Sequence, residues 1–143
     1  MAVTNDYIFL YGTLLPELAA GNLRPLLARL EPVGRATVPG RLFDLGDYPG
    51  AVFDMSAPSS VHGRVFVLAG RDALREFDAY EGYDKRDVSG SVYWRVQRLV
   101  TLEDGSKVTC QMYAYNRDPT SAALIPDGNY LMYKLTSQLS LLR

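Results

Sequence analysis

The residue best placed to do chemistry is Glu81, in the stretch Leu74-Arg-Glu-Phe-Asp-Ala-Tyr-Glu-Gly-Tyr83. Leu74, Phe77 and Glu81 fall at i, i+3 and i+7, so the spacing predicts a short helix with all three on one face. Arg71, Arg75 and Glu76 then point outward. Gly82 follows at once, as a left-handed helix stop requires. Glu81 therefore sits at the negative end of the helix dipole, on the side that faces the core. Burial and dipole both oppose its anion, so its pKa should be raised. A carboxyl poised near neutrality suits general acid/base catalysis. The competing reading is a helix ending in Glu-Gly whose glutamate reaches back into solvent.

A second candidate is Tyr11-Gly12-Thr13-Leu14, where the apolar run Tyr7–Leu10 gives way to a turn. Gly12 lets the backbone bend sharply or approach a ligand, and free N–H groups in such a turn can hold an anion or a developing oxyanion. An ordinary strand-ending turn has the same composition. His62 is the only histidine and has no Cys or His companions at ligand spacing, so a metal site is not expected. No nucleophile elbow surrounds any Ser or Cys, and no glycine-rich dinucleotide or phosphate loop is present. These parts suit proton transfer without a cofactor.

The elements that must position these groups are short. Tyr7–Leu10 is an expected buried strand. Pro16 opens a helical turn, and Asn22 is an expected cap for a helix carrying Leu23, Leu26, Leu27 and Leu30. Residues 34–38 and 40–43 read as strand segments interrupted at Pro39, which marks an edge, bend or bulge. A turn at 44–50 leads to a strand at 51–53, and a loop at 57–60 to an alternating strand at 61–68. A polar loop at 84–91 precedes a hairpin of 92–102 and 107–115, where Tyr113 and Tyr115 share the face opposite Met112 and Ala114. Residues 116–126 read as loop, and Leu131, Leu135, Leu139 and Leu142 as the apolar stripe of a final helix that closes the core. Without regular strand–helix alternation, the inventory points to an α+β fold on a strongly bent or barrel-like β-sheet with a few short helices.

Composition excludes other classes. The chain has 143 residues, 48% hydrophobic and 22% charged, with a formal net charge of -1 and no block of like charge. Electrostatic attraction to nucleic acid or an anionic membrane is not indicated. No apolar run approaches the roughly 18 residues of a membrane span. The lone Cys110 excludes an internal disulfide, and the N-terminus lacks a basic-then-apolar leader pattern, so cytoplasm is the expected location.

Taken in order, Tyr11-Gly-Thr-Leu14, Gly40-Arg-Leu-Phe43 with Gly46-Asp-Tyr-Pro-Gly50, Val61-His-Gly-Arg-Val-Phe66 and Phe77-Asp-Ala-Tyr-Glu-Gly82 resemble the γ-glutamylcyclotransferase-like family, which includes AIG2-like proteins. Tyr93-Trp-Arg95 and Tyr113-Ala-Tyr115 resemble two of its strands. The resemblance spans roughly residues 7–130 and implies one such domain over 1–143. It also implies conversion of a γ-glutamyl amine or peptide to 5-oxoproline and the free amine, without metal or organic cofactor. By position, Glu81 would be the general acid/base, and Tyr11, Gly12, Thr13 and Leu14 would hold the glutamyl end. Tyr115 matches a cavity tyrosine, and Tyr83 would be a neighbouring substrate-binding position. Met112 stands where many members have a small residue, and Asp127-Gly-Asn-Tyr130 only approximates the usual Gly-Asp-aromatic ending; both bear on the expected pocket shape. Two alternatives stand beside the enzyme: a binding module that keeps the cavity, and a metal-dependent hydrolase using His62 and acidic residues. Neither the leaving amine nor the oligomeric state follows from the sequence.

Overall fold

The longest strand organises the sheet. In the computed structural model, which describes residues 6–68 and 70–141, β2 runs from Leu30 to Asp44 and serves two sheets at once. Its first part, Leu30–Pro39, pairs antiparallel with β4 (Ser60–Leu68). Its last part, Gly40–Asp44, pairs with β3 (Pro49–Phe53), and Leu42–Asp44 also meet β7 (Ala123–Ile125). Pro39 thus bends the strand's allegiance rather than ending it. It falls where β2 leaves one partner for the next, and its carbonyl accepts the Asp54 N–H (3.2 Å). The register break lies earlier, between Pro32 and Gly34.

From β4 the sheet continues to β1 (Asp6–Leu10), which pairs antiparallel with β4 and parallel with β6 (Lys107–Tyr115). The hairpin partner β5 (Tyr93–Leu102) follows, and pairing of Ala36 with Leu102 and Thr37 with Thr101 joins β5 back to β2. The result is an α+β fold with a five-stranded, closed, barrel-like sheet and three short helices.

Alternation along β1 builds two cores from one strand. Phe9 joins Val38, Val61, Val65, Val96, Val100 and Met112 in one cluster, within the ring of strands. Ile8 and Leu10 face the other way, onto Phe66 and Leu68 of β4 and onto Ala73, Leu74 and Phe77 of α2 (Arg71–Glu81). β1 is therefore buried on both faces, which is why it reads as a continuous apolar run.

Further expectations change: Leu30, expected on the helix after Asn22, opens β2 and pairs with Leu68 instead. Asn22 makes no capping bond; it lies inside a 3-10 turn, Gly21–Leu23, that leads into α1 (Arg24–Leu27), whose Pro25 occupies the first helical turn. The loop after β6 contains β7, three residues too short to carry a periodic signal. In α3 (Tyr130–Leu141), Leu135 and Leu139 are 42% and 64% exposed, so the leucine stripe does not close the core. Tyr130, at the helix start, is buried instead and joins the cluster within the ring, with Tyr133 stacked on it at 6.3 Å. Leu142 lies outside the described residues.

Candidate active site

α2 delivers Glu81 as its amphipathic pattern requires. Ala73, Leu74 and Phe77 are buried, while Arg71, Arg75 and Glu76 are exposed. The helix stops at Gly82, whose φ of 70° is left-handed; Gly82 N–H reaches Ala79 O (3.3 Å) and Tyr83 N–H reaches Asp78 O (2.9 Å). This paired closure needs a residue without Cβ strain at Gly82, and it fixes Glu81 in the last turn. The Glu81 carboxyl faces a cavity of about 400 Å³. Burial alone pushes its pKa up from the ordinary carboxylate range to about 7.

The turn after β1 shares this cavity. Tyr11, Gly12, Thr13 and Leu14 all line the same space as Glu81. The turn is closed by Leu15 N–H donating to Gly12 O (2.9 Å), while the N–H groups of Gly12, Thr13 and Leu14 donate to no acceptor among the described residues. Gly12 is required by close approach: a Cβ there would lie 2.6 Å from Pro49 Cγ, and Pro49 also lines the cavity. One cavity thus brings together a turn with three N–H groups free among the described residues and a carboxyl whose pKa burial pushes to about 7, parts suited to acyl transfer.

Three of the tyrosines in the wall spend their protons on the protein. Tyr11 OH donates to Tyr113 O (2.6 Å), Tyr93 OH to Pro49 O (2.6 Å) and Tyr113 OH to Asp78 Oδ1 (2.6 Å). Burial, the largest cause for each, and the nearby Glu81 hold all three phenols above their ordinary pKa. Asp78 also meets Arg95, whose Nε lies 2.9 Å from Oδ1 but off its N–H line, so that contact is an ion pair rather than a hydrogen bond. Since these hydroxyls are committed as donors, they offer only lone pairs to a ligand.

Tyr11 is therefore a brace as much as a wall. Tyr11→Phe is expected to lower stability by about 1–2 kcal/mol, because a buried bond spanning the fold is lost and Tyr113 O is left unpaired. Urea unfolding of the variant checks this; an unchanged midpoint would show the bond carries nothing.

Tyr83 and Tyr115 are not among the residues lining the cavity. Tyr115 lies behind Tyr93, with ring centroids 5.9 Å apart, and abuts Gly50. Tyr83 lies under the Arg95 guanidinium at 5.8 Å. Tyr93, Tyr113, Tyr48 and Tyr80 do line it, although the sequence did not mark them as site residues. The available signal was alternation: Tyr113 shares a face with Tyr115 two residues on, and register pairs Tyr93 with Tyr115 and Arg95 with Tyr113. Met112 is fully buried in the cluster within the ring, away from the cavity lining. His62 is on the exposed face of β4, and its backbone N–H bonds Gly128 O (2.8 Å). Among the described residues, no three His, Cys, Asp or Glu side chains cluster as metal ligands would.

Fold and cavity together define a class: a small α+β barrel in which a carboxyl at a helix end and the turn after the first strand line one cavity. Solved structures share the fold. YkqA from Bacillus subtilis matches with a TM-score of 0.71 at 20% identity over 94% of this chain, which spans only 43% of YkqA. An AIG2-like protein from Mus musculus matches with a TM-score of 0.66 at 22% identity over 90% of this chain and 89% of its own. A gamma-glutamyl cyclotransferase matches with a TM-score of 0.58 at 16% identity, over 85% of this chain and 70% of its own. Among curated proteins, none matches the chain. The chain belongs to the gamma-glutamyl cyclotransferase, AIG2-like family, whose model matches residues 8–132. No helix of the described residues is long and apolar enough to cross a membrane.

Proposed function

We propose that the protein is an intramolecular cyclotransferase that converts a γ-glutamyl amide to 5-oxoproline and a free amine. One observation carries the reading: Glu81 and the turn residues Gly12, Thr13 and Leu14, whose N–H groups have no acceptor among the described residues, line a single cavity in a chain of this family. The reacting groups, an α-amine and a γ-carbonyl, belong to one molecule and close a five-membered ring. Holding that molecule curled supplies proximity worth several kcal/mol, about 7–11 at best.

Glu81 as carboxylate takes one proton from the substrate ammonium, and the freed nitrogen attacks the γ-carbonyl carbon. The oxygen becomes anionic and is met by the turn's N–H groups. As the tetrahedral centre collapses, the C–N bond to the leaving group breaks and Glu81 returns its proton to the departing nitrogen. The ring nitrogen loses a second proton and the leaving amine gains it, so the lactam keeps one hydrogen and the amine departs as ammonium. Tyr11, Gly12, Thr13 and Leu14 hold the glutamyl end, and the lone pairs of Tyr113 and Tyr93 face its ammonium. Tyr83 and Tyr115 act through the wall, by backing Arg95 and Tyr93.

The test is mass-spectrometric detection of 5-oxoproline from γ-glutamyl amines, γ-glutamyl-amino acids, glutathione and γ-glutamyl-lysine. Product from at least one is expected. Saturable binding of the panel with no product from any member would instead favour a binding module.

A further inference from the structure

The cavity has two zones of different character. Its depth is built from buried groups around Glu81 and the Tyr11–Leu14 turn. Its mouth is formed by Tyr48, Tyr80 and Val92, which are 44%, 43% and 40% exposed yet line the same space. Large apolar side chains left open at the rim of a cavity mark a surface that a ligand covers. Two of the three are aromatic and present flat faces for stacking.

Charge sharpens the inference. Among the described residues, Glu81 is the only carboxyl in the lining, and no Lys, Arg or His lines the cavity. Arg95 is engaged by Asp78 and by Gln111 Oε1 (3.1 Å), and Arg117 donates to the carbonyls of Ser91 and Asn116 (both 2.8 Å). Next to Tyr48 in the chain is an acid, Asp47. The free N–H groups of the turn are taken by the glutamyl end. A second carboxylate, such as an amino-acid or peptide leaving group carries, would lose water at this mouth and gain no cation from the described lining residues.

Resting on the cyclotransferase reading, we infer that the leaving amine is an aromatic or bulky apolar amine without a carboxylate, held at the mouth by Tyr48, Tyr80 and Val92. The glutamyl end is read by the depth of the cavity and the amine by its rim.

Three matched substrates test this on the wild-type protein: γ-glutamyl-phenethylamine, γ-glutamyl-phenylalanine, which adds only a carboxylate, and γ-glutamyl-ethylamine, which removes only the ring. The phenethylamide is expected to show at least tenfold higher kcat/KM than either of the others. Val92→Arg, which sets a cation at the mouth, is expected to narrow the gap between phenethylamide and phenylalanine derivative at least threefold. A ratio measured within one protein does not depend on the fraction folded. Equal kcat/KM for the three, or a ratio unmoved by Val92→Arg, overturns the inference while leaving the cyclotransferase reading intact. No 5-oxoproline from these three or from the wider panel overturns that reading, and this inference with it.

Discussion

Glu81→Gln is expected to lower 5-oxoproline formation by about 10²–10⁴-fold, the usual range for a single positioned acid/base. The amide keeps the size and polarity of the side chain but can neither take the ammonium proton nor return it. The same change should raise stability above pH 7. The folded-state pKa of Glu81 is raised, to about 7, so the folded protein holds the proton more tightly than the unfolded chain does. Its contribution is therefore a penalty that is full above pH 7 and fades as pH falls towards the ordinary carboxylate value. Removing it should stabilise by roughly 1–3 kcal/mol at pH 8, and by little near pH 4. Urea unfolding at both pH values, beside the activity assay, checks the pair of effects. In the wild type, kcat/KM should fall about tenfold per unit below pH 7 as the base is protonated. An active, equally stable Glu81→Gln protein would remove this carboxyl from the mechanism.

Gly12→Ala is expected to cost about 10²-fold in kcat/KM, the loss that a displacement of roughly 1 Å at a reacting centre can bring. The added Cβ would sit 2.6 Å from Pro49 Cγ and 3.0 Å from Pro49 Cδ. Pro49 cannot easily retreat, because its ring is stiff and its carbonyl is held by Tyr93 OH. The turn must move instead, and its three N–H groups move with it. Overpacking of this kind should also lower stability by about 1–3 kcal/mol. Activity measured well below the melting temperature separates the two consequences. A normal rate would mean that the turn's donors do not meet the reacting oxygen.

Much of this arrangement is legible in the amino-acid sequence. The helix over Arg71–Glu81, its stop at Gly82 and the inward position of Glu81 follow from a periodic pattern and a cap within a dozen residues. So do the hairpin of β5 and β6 and the double-sided burial of β1. The family resemblance, carried by ordered motifs, agrees with the family match over residues 8–132. Less visible were features decided between distant residues. β2 passes unbroken through Pro39 because that residue falls at a change of partner strand, which depends on β3 and β4 together. The leucines of α3 mark a periodic face, but whether anything covers it depends on the barrel, and Leu135 and Leu139 stay exposed.

The tyrosines show the division most clearly. Their types and alternation set which of them share a face, yet Tyr113 and Tyr115 share one and only Tyr113 reaches the cavity. That choice follows from how far β6 runs past β1 and α2, a register fixed by contacts such as Tyr11 OH to Tyr113 O across 102 residues. By itself the sequence determined the local pieces: a helix ending in an inward carboxyl, a glycine turn after a buried strand, and a surface without strong net charge. Only the tertiary structure decided that carboxyl and turn line one cavity, that the phenols of Tyr11, Tyr93 and Tyr113 are spent on protein acceptors, and that Tyr48, Tyr80 and Val92 meet at its mouth. The reason is range: helix periodicity and caps act within a few residues, whereas a cavity is the space left between elements brought together by sheet closure.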